Sequence, residues 1–402
     1  MPAAEPPVVL DAAFLADPQA SYTALLRRGP VHRAVAPDGA PVWLVTGYRE
    51  VRAAAADPRL SLNKRHARTK GRAGDSLPPE LDSHLLNSDA PDHTRLRGLV
   101  NSAFGPRRVR ILRDQVQRTA DGLLDRLAGR RSADLVADLA EPLSMAVICD
   151  LLGIPEGDRV DFRTWTDTLL SPDPDAAHRS RAAMRSMRGF LAGLIAAKRT
   201  APADDVLSEL IAARDGGERL GEDELLAMAF LLLFGGYHNS AATLAATVLA
   251  LLTHPVRAAE LRGGRLTVGQ VTEEVLRRES PAMLSVRRFA LTEVEIAGAV
   301  IGPGERVWLC WASANRDPAA FEKPEVFDPG RAERSHLAFG HGAHRCVGAA
   351  LARLENEIAV TTLLRRFPDL ALGEVPETLP RAASPRSRAL LALPVTLRRD
   401  RP

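Results

Sequence analysis

The sequence has 402 residues, enough for one large domain or two ordinary ones and, either way, for a sizeable buried core. Apolar residues make up 46% of it and are interspersed with charged ones, which excludes a disordered chain. With 53 basic against 50 acidic residues the net charge is +3, a near balance that argues against nucleic-acid binding as the main task.

The start MPAAEPPVVL carries no basic-then-apolar leader. The longest apolar run, Leu225 to Phe234, is about ten residues where roughly twenty would cross a bilayer. A cytoplasmic protein without a membrane partner is expected. Three cysteines, Cys149, Cys310 and Cys346, form neither a CxxC pair nor a disulfide framework, so at most one of them is expected to do chemistry.

Along the chain, VHRAV and VWLVTG flank the turn residues Pro37-Asp38-Gly39 and predict a hairpin. A helix follows from Tyr48 and stops at Asp57-Pro58. The polar stretch from about Ser61 to Asn87 has no sustained period and reads as a long, functional loop. Helical periodicity dominates from Asp92 to about Arg288, broken at Gly105-Pro106, Gly153 to Pro155, Ser171 to Pro174, Ala201-Pro202 and Gly216-Gly217. After Pro281 short β-branched runs punctuated by glycine predict a small sheet. A last long helix is expected from near Cys346 to about Arg366, ahead of the strand-like LLALPVTLRR. No repeat, low-complexity tract or linker divides the chain, so residues 1–402 read as a single, mainly α domain with small β-sheets.

The most informative segment is HLAFGHGAHRCVGAALARLE, His336 to Glu355. A cysteine by itself is more often a small buried hydrophobe than a ligand. Here Gly340 and Gly342 permit sharp turns and a close approach to a flat cofactor, and Gly348 removes a side chain where the next helix begins. Cys346 falls at the N-terminus of a helix expected from near Val347, where unpaired N–H groups favour a thiolate. Phe339 offers an apolar wall beside the sulfur.

This segment resembles the haem-binding loop of the cytochrome P-450 family, FGxGxHxCxGxxLA, at Phe339, Gly340, Gly342, His344, Cys346, Gly348, Leu351 and Ala352. The resemblance extends over essentially the whole chain, through ADPRLS, AFGPRR, ICDLLGIP and ANRDPAAFEKPEVFDPGR. It implies a triangular, mostly helical fold and a haem b whose iron Cys346 ligates. It also implies a soluble bacterial enzyme that oxidises a small-molecule substrate.

Glu274 and Arg277 by themselves read as an exposed ion pair one helical turn apart. The resemblance makes them, with Arg331, a buried polar cluster that holds the cysteine loop. It also implies that His93, Arg97, Arg288 and His344 bind the haem propionates. The competing reading of those four is a solvated basic face. Arg287 is the poorer candidate, because on a strand it points away from Arg288's face.

The helix that crosses the distal side of the haem departs from the family pattern of Ala/Gly-Gly-x-acid-Thr-Thr/Ser. Here it reads Gly235, Gly236, Tyr237, His238, Asn239, Ser240. Gly236 is expected to leave room for a diatomic ligand and for a local bulge. The acid and the threonine, which manage protons in the family, are replaced by His238 and Asn239, and Ser240 is a further candidate. Three readings stand: a monooxygenase using these residues or a substrate hydroxyl; an enzyme of oxidative coupling, ring closure or rearrangement without oxygen insertion; and a non-catalytic haem-binding carrier or interaction protein. His238 facing away from the haem is an alternative within each. The absence of arginine from Leu225 to Ala250 argues against the family's fatty-acid peroxygenases.

No flavin or iron–sulfur motif is present, so electrons are expected from a ferredoxin and its reductase. Arg107, Arg108, Arg110, Arg345 and Arg353 are candidates for a basic docking face, with an ordinary solvated surface as the other reading. A monomer is expected. The substrate, a medium-sized product of secondary metabolism, is expected to meet residues 61–87, the turn Leu169 to Asp175, Phe234, Tyr237 and Met283 to Val286.

Overall fold

The computed structural model describes residues 6–68, 78–170, 177–215 and 220–397. The predicted hairpin forms from Val31–Val35 and Pro41–Val45, in antiparallel register from Val31 opposite Val45 to Val35 opposite Pro41. Gly39 closes its turn at φ 75°, a conformation that costs glycine little. The hairpin is part of a six-stranded sheet. Pro41–Val45 pairs in parallel with Arg306–Leu309, which pairs antiparallel with Arg288–Ala290, and that strand pairs with Leu60–Ser61. Arg288 is therefore carried by an interior strand and buried at 4% exposure.

Helices make up most of the rest. The longest, Glu222–Thr253, opens with three acidic residues that suit the positive end of its dipole, and the Glu224 carboxylate accepts the Gly221 N–H at 2.7 Å. It is largely apolar because other helices cover most of it, chiefly Glu141–Leu152, Pro79–Asp82, Ala349–Arg366 and Val268–Glu279. By length and composition this helix passes the test for a membrane span, which the shorter apolar run read from the sequence did not suggest. Most of its apolar window is buried inside the protein, as befits a core helix.

Two expectations shift. The stretch read as one loop from Ser61 carries, in its described part, single turns at Lys64–His66 and Leu85–Asn87 and the short helix Pro79–Asp82. The last long helix starts at Ala349, with Gly348 as its cap, and not near Val347. The closing segment pairs as Pro394–Thr396 with Ala371–Leu372 on one side and Ser132–Asp134 on the other. The breaks expected at Ser171 to Pro174 and at Gly216-Gly217 lie outside the described residues, as do residues 69–77.

Candidate functional site

The cysteine loop is built by local hydrogen bonds. The Gly340 N–H bonds the Leu337 carbonyl at 2.8 Å, and the Cys346 N–H bonds the Phe339 carbonyl at 2.8 Å, so the loop folds back on itself under the sulfur. Gly340 and Gly342 both take left-handed φ, 72° and 74°. A Cβ on Gly342 would also lie 3.0 Å from the Ala55 carbonyl oxygen, so both turn geometry and packing require glycine there. Gly348 donates its N–H to the Cys346 thiol. Cys346 is exposed on one side, while Cys149 and Cys310 are buried and burial pushes both of their thiols up to about 12. The Cys346 thiol is also raised, because burial of the sulfur outweighs the Gly348 N–H and the charges of Arg97, Arg345 and Arg353. The helix terminus thus does not make the thiolate unaided, as the sequence suggested; a ligated metal deprotonates the thiol outright.

A buried frame holds this loop. Arg277 clasps the Glu274 carboxylate with two hydrogen bonds of 2.8 Å, and Arg331 reaches the same carboxylate at 3.2 Å. All three are buried, at 4% exposure for Glu274, 1% for Arg277 and 7% for Arg331. Backbone carbonyls take further guanidinium protons: Asn315 and Pro324 for Arg277, and Glu322 and Val326 for Arg331. Asn315, which the sequence reading missed, passes the frame on to the loop by accepting the Leu337 N–H. Glu273, also missed, clasps Arg353 beyond the cysteine and His336 before it. These partners lie far apart in sequence, where no local spacing reveals them.

The four residues named from the resemblance converge. The His93 and His344 rings lie 3.9 Å apart between centroids. His93, Arg288 and Arg97 all lie close enough to His344 to disfavour its protonation, and the charge of Arg97 acts on Cys346 as well. His93 Nε2, His344 Nδ1 and Arg288 Nε are buried without a hydrogen-bond partner among the described residues. Burial, then the neighbouring cations, lowers His93 and takes His344 down to about 3; burial lowers Arg288 to about 10, which leaves it charged. Three orphaned nitrogens beside a cysteine loop fit a group that brings carboxylates with it, since leaving such atoms unsatisfied is costly. The residues present therefore fit a haem, with Cys346 at its iron and its propionates among these four residues.

On the long helix the structure corrects the role expected of Gly236. A Cβ there would lie 2.5 Å from Ile148 Cδ1, so its bare face packs against the Glu141–Leu152 helix. Gly235 is the residue with open space where a side chain would stand. Asn239, one turn on, shares that face and is exposed, while His238 and Ser240 are half-buried. The expected bulge is absent: the helix is α-helical from Glu222 to Thr253. Thr243, a residue missed from sequence, bonds its hydroxyl to the Asn239 carbonyl at 2.8 Å.

Other expectations fail for plain reasons of packing. Arg108 is buried at 8% exposure between Asp204 and Glu209, so it adds no charge to a docking face. Arg353 is neutralised by Glu273. Arg110 and Arg345 are exposed, and the side chain of Arg107 lies outside the described residues. Tyr237, at 1% exposure, belongs to the helical core, and Met283, at 2%, packs with Leu10, Phe14 and Trp308; neither lines a substrate site. Phe234 and Val286 remain half-buried candidates, and most of the turn from Leu169 to Asp175 lies outside the described residues.

Comparison with known proteins is consistent with this geometry. Residues 266–388 match the family model for cytochrome P450. The chain is 44% identical over 405 residues to the cytochrome P450 monooxygenase PikC of Streptomyces venezuelae, covering 99% of this chain and 96% of that one. It is 43% identical over 398 residues to cytochrome P450 107B1 of Saccharopolyspora erythraea, with 96% and 97% covered. Among solved structures, the tirandamycin C-bound P450 monooxygenase TamI superimposes with a TM-score of 0.91 at 40% identity, covering 98% of this chain and 100% of that one.

Proposed function

The chain belongs to the cytochrome P450 family, and from that premise we propose that it is a haem-thiolate monooxygenase that oxidises a medium-sized secondary metabolite of polyketide or macrolide type. One observation carries the reading: Cys346 stands in a glycine-shaped loop beside His93, His344 and Arg288, each of which holds a buried nitrogen with no hydrogen-bond partner among the described residues. The whole chain acts as one cytoplasmic, monomeric haem domain. A ferredoxin, reduced by its own reductase, supplies electrons, and the exposed Arg110 and Arg345 contribute to its docking.

A bound haem would activate dioxygen, which is the oxidant. The protein's part is to hold and to dose. His93, Arg97, Arg288 and His344 bind the propionates, the histidines neutral and donating N–H, the arginines charged. The Glu274 frame keeps the cysteine loop in place. Gly235 leaves space on the exposed face of the long helix, and Asn239 on that face fixes a water by donating and accepting hydrogen bonds. His238 relays protons to that water, with Ser240 as an auxiliary hydroxyl. A second reading, oxidative coupling or ring closure without oxygen insertion, is favoured by one observation: neither the family's acid nor its threonine stands at 238 and 239.

The test is spectral and then chemical. Wild-type protein reduced under carbon monoxide should show the strongly red-shifted Soret band of thiolate ligation, and Cys346→Ala should lose it while Cys310→Ala keeps it. With ferredoxin, reductase and a candidate macrolide, isotopic oxygen in the product identifies a monooxygenase. An oxidised product without label identifies the second reading. A red-shifted band in Cys346→Ala would sink both.

A further inference from the structure

Glu273 neighbours the buried frame but has a different task. Its carboxylate accepts Arg353 Nε at 2.7 Å and Nη2 at 2.8 Å, and faces His336 Nε2 at 3.1 Å. The Ala338 N–H donates to His336 Nδ1 at 3.2 Å, which puts the ring proton on Nε2 and makes His336 a donor to Glu273. One carboxylate thus holds the chain on both sides of Cys346. The Arg353 guanidinium lies 4.6 Å from the centroid of the Phe339 ring, and Phe339 is the residue whose carbonyl accepts the Cys346 N–H. The Arg353 charge acts on the Cys346 sulfur.

Resting on the haem-thiolate reading above, we propose that Glu273 is a positioning residue that sets the electric field at the Cys346 sulfur: it neutralises Arg353 and fixes that cation on the Phe339 ring. A bidentate carboxylate–guanidinium pair has a preferred geometry, so the cation is held in place and its field at the sulfur is partly cancelled. A cation near a thiolate-ligated iron stabilises the reduced, more negative state, and an anion opposes it. The pair therefore holds the haem potential between the values that either partner would impose unopposed. His336 secures the carboxylate from the other side.

The experiment uses haem-loaded protein and spectroelectrochemical titration of the iron. Glu273→Gln should move the midpoint potential positive, Arg353→Gln should move it negative, and the double variant should return toward wild type. A purely structural role produces no such opposition of sign. Glu273→Asp, which keeps the charge, should stay nearer wild type than Glu273→Gln. The proposal is overturned if the two single variants move the potential in the same direction, or if neither moves it. If Glu273→Gln retains no haem, Arg353→Gln against Arg353→Lys decides: a negative shift in the first and a near wild-type value in the second support the proposal, and an unmoved Arg353→Gln overturns it. A wild type lacking the red-shifted carbon monoxide band would instead sink the haem-thiolate reading itself.

Discussion

The Asn315 side-chain oxygen accepts the Leu337 N–H at 2.6 Å while the Asn315 backbone carbonyl accepts Arg277 Nη1 at 2.8 Å. A single residue thus couples the charged frame to the cysteine loop, and its amide nitrogen is taken up by the Ser280 hydroxyl at 2.9 Å. Asn315→Leu would leave the Leu337 N–H and the Ser280 oxygen buried without that partner, at about 1–3 kcal/mol each. Expected are a lower urea midpoint and haem that exchanges to apomyoglobin several-fold faster than from wild type. Wild-type haem retention in this variant would show that the loop does not depend on the frame.

Haem retention should be insensitive to histidine titration. His93 is lowered by burial and the nearby Arg97, and His344 is taken down to about 3 by burial, His93 and Arg288. His344 is then neutral from pH 8 to 6, and His93 is shifted in the same direction, away from gaining a proton as pH falls through the ordinary imidazole range. Haem transfer rates measured over that interval should be flat, and His344→Ala should raise them at every pH. A step near pH 6.5 in wild type that disappears in His344→Ala would mean that the charged imidazolium binds the propionate.

The sequence made the cysteine loop legible because its chemistry is local. Glycines at positive φ, the cysteine and the following helix fall within one short segment, and the match of that segment to the family's haem loop separates Cys346 from an ordinary buried thiol. Glu274 and Arg277 were readable as a pair one turn apart on a helix, and as part of a buried cluster only through the family resemblance. Glu273 was not, since its partners Arg353 and His336 reach it only through the fold. Arg108 failed in the opposite sense: a charge in a basic run was read as surface, but the fold brings Asp204 and Glu209 to it and buries it.

The adjacent glycines of the long helix show the limit sharply, because neighbours on a helix differ by about 100° in direction and a pattern does not say which one faces the pocket. At Gly236 the added methyl of alanine meets Ile148 Cδ1 at 2.5 Å and Cγ1 at 2.8 Å; at Gly235 it meets nothing. Gly236→Ala should cost about 1–3 kcal/mol in overpacking, partly offset by roughly 1 kcal/mol of helix propensity. Gly235→Ala gains the propensity without the clash. Urea denaturation should therefore rank Gly235→Ala above Gly236→Ala, and Ile148→Val should cost less in the Gly236→Ala background than in wild type. Additive effects of Gly236→Ala and Ile148→Val would mean that the contact does not limit the packing of the two helices.

Glu355 gives the protein a pH dependence of unusual sign. It is 2% exposed on the helix that follows the cysteine loop, and Ser144, itself 1% exposed, donates its hydroxyl to the carboxylate. Burial raises its pKa from 4.5 to about 7, against the lowering effect of the Ser144 hydrogen bond. Between those values the folded protein keeps a proton that the unfolded chain releases, so stability from this group falls as pH rises from about 4.5 through 7 and then levels off. The loss is of order 3 kcal/mol, at roughly 1.4 kcal/mol per pH unit. Glu355→Gln has no proton to lose and can still accept from Ser144. Its stability relative to wild type, measured by urea unfolding, should be close to even near pH 5 and clearly higher at pH 8. Ser144→Ala removes the opposing hydrogen bond and should carry the fall to higher pH, enlarging the total loss at the same slope. A Glu355→Gln advantage that stays constant from pH 5 to 8 would show that this carboxyl does not titrate in that interval.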